Sequence, residues 1–151
     1  MQTTWNFLDA QTGIVDRIKA TAQPVDGSGW ARIVGTRKDL SAVAEEMQTT
    51  PAVYVVYDGL AVLPGTDEYS LQLSHRWLVV LAIGNAASQR EAAALDQEAG
   101  PHLGELIKAL HGYKPPQCNS PLVMSTPPRP FYSPAKFAYY PLLFTVSSVH
   151  C

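Results

Sequence analysis

Residues 69–83, YSLQLSHRWLVVLAI, change character halfway, and no other stretch restricts the fold so tightly. Tyr69, Leu71 and Leu73 alternate with Ser70, Gln72 and Ser74, the period-two pattern of a strand with one dry and one wet face. From Trp77 to Ile83 every residue is apolar, which predicts a strand half covered on both faces. Upstream, PAVYVVYDGLAVL at 51–63 has an unbroken β-branched and aromatic run from Val53 to Tyr57, again a buried strand. Pro51 can open it, and Asp58-Gly59 predicts a bulge or bend. PGTDE at 64–68 is turn chemistry. The two runs therefore predict one long antiparallel hairpin, 52–63 against 69–83. Its outer half should project with a single apolar face, and such a ribbon is marginal in water unless something covers it.

The rest of the chain supplies helices and a closing strand. Phe7, Leu8, Ile14, Val15 and Ile18 fall near helical spacing, so a helix is predicted at about 4–22, weakened by Gly13. WARIVGT, residues 30–36, reads as a short strand, and KDLSAVAEEM at 38–47 as a short helix. Leu95, Ala99, Leu103, Leu106, Ile107 and Leu110 keep one phase across Gly100-Pro101. That predicts a single kinked helix from about 87, not two helices, because the proline removes one amide without shifting the stripe. Gly112 suits a left-handed cap, and Pro115-Pro116 end any continuation. Residues 115–134 hold more than half of the chain's twelve prolines, so this passage is stiff; Leu122–Met124 within it reads as an edge strand. KFAYYPLLFTVSSV predicts a last strand at 137–149, with Pro141 at an edge or bulge. The whole, residues 1–151, reads as one α+β domain of two layers. It has a mostly antiparallel sheet of about four strands, a projecting hairpin, and two or three flanking helices.

Composition narrows the function. The net charge is −2, with eleven basic residues scattered along the chain, which argues against a phosphate-gripping surface. Only 16% of residues are charged, so a partner covering part of the surface is expected. The longest apolar run is far short of the ~20 residues that span a bilayer, so no membrane contact is expected. Cys118 and Cys151 show no metal spacing, and His102 and His111, nine apart, fall on different helix faces, so a shared metal is not expected. No cofactor or metal is expected. Ser74-His75, or Ser147 and Ser148 with His150, can be written as nucleophile and base, but no GxSxG elbow accompanies them. Glu45-Glu46 and Asp67-Glu68 are adjacent and point apart. Catalysis is not expected.

In their order, TPAVYVVYDG, QLSHRWLVVLAIGN, AGPHLGELIKALHGYKPP and FAYYPLLFTV, over about residues 50–147, resemble the tail terminator (tail completion) proteins of long-tailed bacteriophages. The resemblance implies a small α/β fold assembling as a homo-oligomeric ring, a hexamer. The ring would cap the head-proximal end of the tail tube beneath a head-completion protein, and DNA would pass through it without specific binding. A mildly acidic channel would not hold phosphates. A ring needs two different patches that dock head to tail. The expected interface residues are Tyr69, Leu71, Leu73 and Arg76 on the hairpin and Tyr139 and Tyr140 on the last strand, with strand pairing near 122–124 as a further contact. Leu71→Asp and Leu73→Asp are then expected to leave the fold intact and block assembly. The alternatives are another head–tail joining protein, a non-viral dimeric α/β binding module, or a small hydrolase or transferase using His75, His102, His111 or Cys118.

Overall fold

The computed structural model describes residues 6, 8–36, 49–84, 90–133 and 137–150. In chain order these form α1 (Asp9–Ala22), β1 (Ile33–Thr36), β2 (Ala52–Val62), β3 (Leu71–Gly84), α2 (Arg90–Leu110), β4 (Val123–Ser125), β5 (Phe131–Tyr132) and β6 (Phe137–His150). The helix expected at 38–47 lies outside the described residues, as does most of the first turn expected before Asp9.

Local chemistry explains the helices. The Asn6 side chain accepts the Leu8 amide at 3.1 Å and donates to Asp9 Oδ1 at 2.7 Å, turning the chain into α1. Asp9 in the first turn and Lys19 in the last oppose the helix dipole favourably. Ala10, Gly13, Ile14, Ile18 and Ala22 form the buried stripe. The second helix runs unbroken through Pro101, as the phase of its stripe predicts. It stops at Leu110, and Gly112 follows with φ +88°, the left-handed conformation that glycine tolerates best.

The sheet has six strands in the order β1-β2-β3-β6-β4, with β5 also paired to β6. The four-strand expectation is thus corrected. The β1/β2 pair is parallel, and β5 forms within the proline-rich passage, where Phe131 stacks on Tyr139 with ring centroids 4.9 Å apart.

The hairpin is present, but it does not project alone. The final strand backs β3 along its whole length, from Leu71↔His150 to Gly84↔Phe137. Only the 63–70 turn extends past it, held by Asp67 Oδ1, which accepts the amides of Tyr69 and Ser70 at 2.8 and 2.9 Å. Pro141 sits in an interior strand opposite Val80. On its other side the β5 pairing ends at Tyr139 and the β4 pairing begins at Leu143. Among the described residues no strand there needs the amide that proline lacks.

One face of the sheet carries the main core. Val53 and Val55, Trp77, Val79, Leu81 and Ile83, and Tyr140, Leu142, Phe144 and Val146 pack with Ile14 and Ile18 of α1 and Leu106 and Leu110 of α2. Each such side chain contributes about 1.5–3 kcal/mol when fully buried. A smaller cluster of Ala52, Tyr54, Ala82, Phe137 and Tyr139 lies on the opposite face. There Leu78 and Val80 are only half-buried. The run Trp77–Ile83 is therefore fully covered on its helix side and partly covered on the other.

Candidate functional site at the distal end of the sheet

The end of the sheet that carries the 63–70 turn holds both the exposed apolar side chains and the buried polar groups of interest. Its shape starts with a bulge. The β2/β3 register shifts between Tyr57 and Leu60, and Gly59 adopts φ +98°, as Asp58-Gly59 predicts. The extra residue changes the parity of the strand. Before it, Val53, Val55 and Tyr57 share a face with Leu81, Val79 and Trp77. Beyond it, Leu60 and Val62 pair with His75 and Leu73 on that face. Leu60 and Val62 remain 44% and 60% exposed, beside a turn whose Tyr69 is 79% exposed. The first strand pairs only with Ala52–Val55, so the outer flank of β2 from Val56 onward has no strand partner among the described residues.

The six residues expected at an interface divide. Tyr69 is exposed, Leu71 half-buried and Arg76 exposed. Arg76 pairs with Asp58 across the bulge at 3.1 Å, a surface ion pair of little net energy. Leu73 is only 3% exposed, in an interior strand flanked by β2 and β6. Tyr139 and Tyr140 are buried on opposite faces, one in each core cluster. All three are buried within the single chain, and for Leu73 this corrects the premise that an isolated copy leaves the outer apolar face of the hairpin uncovered. Leu60 and Val62 were missed. The signal was present, since a bulge at Asp58-Gly59 inverts the alternation that follows it.

The edge near 122–124 is not free for pairing either. On the side away from β6, Leu122 donates to Tyr113 O at 2.7 Å and accepts from Gly112 at 2.8 Å. The Met124 amide donates to His111 Nδ1 at 3.2 Å. The capping turn of α2 thus consumes the outward hydrogen bonds that a neighbouring strand would need.

Under the same end lies a chain of polar groups. Tyr57 Oη is 2.9 Å from His75 Nδ1, and His75 Nε2 is 2.8 Å from Ser148 Oγ. Ser148 Oγ is 3.0 Å from His150 Nε2. His75 and Ser148 are each 3% exposed. Burial, and then the proximity of His150, lower the pKa of His75. Serine, histidine and a third group in series repeat the hydrogen-bond order of a nucleophile, its base and an orienting partner. Here the adjoining cavity, lined by His75, Pro116, Gln117, Cys118, Ser148 and His150, has a volume of about 10 Å³, room for at most one water. No substrate carbonyl could approach Ser148, so the chain is structural.

The remaining candidates for chemistry also have structural partners. The His102 ring stacks on Trp30 at 4.0 Å, and the Trp30 indole donates to Glu105 Oε2 at 2.6 Å. Burial pushes the Cys118 thiol up to about 11, the opposite of an activated nucleophile. Among the described residues no group of His, Cys, Asp and Glu could hold a metal ion. No described helix is long and apolar enough to cross a membrane.

Comparison with curated proteins finds no match. A chain in the solved structure "Virion of native gene transfer agent (GTA) particle" is 14% identical, with a TM-score of 0.58, and the match covers 98% of this chain and 100% of that one. At that identity the likeness speaks for the fold alone. The family model described as phage tail terminator protein matches residues 4–150.

Proposed function

Because the chain belongs to the phage tail terminator family, a family of virion tail proteins, we propose that it forms a hexameric ring on the head-proximal end of the tail tube. The ring stops tube polymerisation and offers its other side to a head-completion protein, and DNA passes through it without being gripped. The role is structural rather than enzymatic. The polar chain at Ser148 is closed to substrate, which supports that reading.

The observation that carries the assembly reading is the apolar group at the distal end. Leu60, Val62 and Tyr69, at 44%, 60% and 79% exposure, crowd one end of a small domain, where a solitary surface leucine would mean nothing. Of the six residues expected from sequence, Tyr69, Leu71 and Arg76 remain as interface residues, now joined by Leu60 and Val62. Phe131 and Tyr132, 56% and 52% exposed on β5, supply a second patch elsewhere on the surface, which a head-to-tail ring requires.

The test combines light scattering with tail-tube capping. Purified wild-type chain, alone and mixed with tail tubes, should yield rings and tubes of fixed length. Val62→Asp and Tyr69→Asp should stay folded but remain monomeric and fail to cap. A wild-type chain that forms a two-fold dimer indifferent to tubes would remove the proposal, as would variants that cap normally.

A further inference from the structure

A groove between the two helices holds charges that the fold itself leaves unused. It is lined by Arg17 and Thr21 of α1 and by Glu105, Lys108 and Ala109 of α2, and its volume is about 410 Å³, within the range of ordinary binding clefts. Arg17 is held from two directions. Its Nε donates to Ala109 O at 2.9 Å, one of the last carbonyls of α2, which a helix cannot satisfy from within. Its Cζ lies 5.2 Å from the centroid of the Tyr113 ring, inside cation–π range. Arg17 is nevertheless exposed, and among the described residues its Nη atoms have no hydrogen-bond or ion-pair partner. The guanidinium is thus fixed at its inner nitrogen with its outer fork open, the shape that takes a carboxylate through two parallel bonds.

Lys108 is a second exposed cation on the groove, also without an ion-pair partner among the described residues. Glu105 is the carboxylate in the lining, and its Oε2 accepts the Trp30 indole at 2.6 Å. Two cations against one carboxylate leave the groove positive. The opposite charge sits on the 63–70 turn. Its sequence, LPGTDEYS, has Asp67 and Glu68 and no basic residue. Asp67 Oδ1 shapes the turn by accepting the Tyr69 and Ser70 amides. Glu68 is exposed and has no partner among the described residues. The nearby cation, Arg76, is already paired with Asp58. The tip of the hairpin therefore carries negative charge beside an aromatic ring that is 79% exposed.

We propose that the α1/α2 groove receives the 63–70 turn of a second copy of the chain. The Glu68 carboxylate meets the Arg17 fork and Lys108, and the Tyr69 ring covers Thr21 and Ala109. Turn and groove are different patches, so the contact is head to tail. It rests on the ring reading above and names where the acidic tip is received; Phe131 and Tyr132 remain a separate apolar patch. A DNA backbone fits the groove less well, because phosphate gripping needs a run of cations, not two beside a carboxylate.

The experiment is light scattering of the full chain, alone and on tail tubes, with a charge reversed on each side of the contact. Glu68 and Lys108 have no partner within the described part of their own copy, so Glu68→Lys and Lys108→Glu should fold normally by circular dichroism. Each sets like charges face to face and should weaken association at least about tenfold. The double variant, with both reversals in one chain, should recover most of the loss. The proposal fails if the wild type assembles and both single variants assemble equally well, or if the double variant does no better than either single one; the ring reading survives both results. A wild type that neither associates nor caps tubes removes the two readings together. A Lys108→Glu protein that assembles normally but no longer retains a short DNA duplex bound by the wild type would assign the groove to phosphate and overturn the proposal.

Discussion

Gly13 should refuse a side chain that Gly104 accepts, although both lie inside helices. An alanine in a helix interior normally gains about 0.5–1 kcal/mol over glycine. At Gly104 a Cβ would meet nothing within 4 Å, so Gly104→Ala should stabilise by about that amount. Gly13 faces the turn after α2. A Cβ there would overlap Pro116 Cδ and come to 3.0 Å from Tyr113 Oη and 3.2 Å from Pro116 Cγ. A pyrrolidine ring cannot fold aside like the end of a lysine. Gln117, next in the chain, is bonded to Asp9, so the loop cannot lift without losing that contact. Overpacking of this kind costs about 1–3 kcal/mol. After the helix gain, Gly13→Ala should destabilise by roughly 1–2 kcal/mol. For a domain of this size the two variants should differ in Tm by roughly 4–10 °C. Urea unfolding followed by circular dichroism measures both, with unchanged slope as the sign that the native state is intact. A Gly13→Ala protein as stable as the wild type, or more so, would show that the 113–117 turn is not pressed on α1 and would refute the packing argument.

Two further outcomes follow from burial. Leu73→Asp places a carboxylate where 3% of the side chain is exposed, and should cost about 3 kcal/mol or more. Circular dichroism should show weakened or lost structure, whereas Tyr69→Asp should leave stability within about 0.5 kcal/mol. Cys118, with its thiol raised from 9.0 to about 11, should react with iodoacetamide at pH 8 about a hundredfold more slowly than an exposed thiol. The Cys151→Ser variant isolates that rate, and an ordinary rate would mean that the 115–119 loop opens readily.

Much of the fold is written in local patterns. The strand through 71–83 and the unbroken run of α2 across Pro101 each need only nearby residues and are present, although Tyr69 and Ser70 fall in the turn and the 77–83 run is fully covered on one face only. Asp58-Gly59 even announces the bulge. Partner choice is different. Nothing near Leu71 says that His150 lies opposite it, so the hairpin looks unsupported from sequence. Nor does anything near Leu73 say that it is buried, opposite Ser148 of β6. Tyr139 and Tyr140 show the same limit from the other side. Adjacent tyrosines in a strand point to opposite faces, and only the presence of two clusters, one per face, explains why both are buried. The exposed Leu60 and Val62 needed one further inference, that a bulge reverses which alternate residues face the helices.

The end of α2 does more than finish a helix. Indefinite growth by strand addition needs two open flanks, one to receive a neighbour and one to be received. Gly112, Tyr113 and His111 close one of them along the β4 side. Among the described residues the distal half of the sheet keeps one bare margin, along β2 beyond Val55, and a sheet of that kind can couple once and then has nothing left to extend.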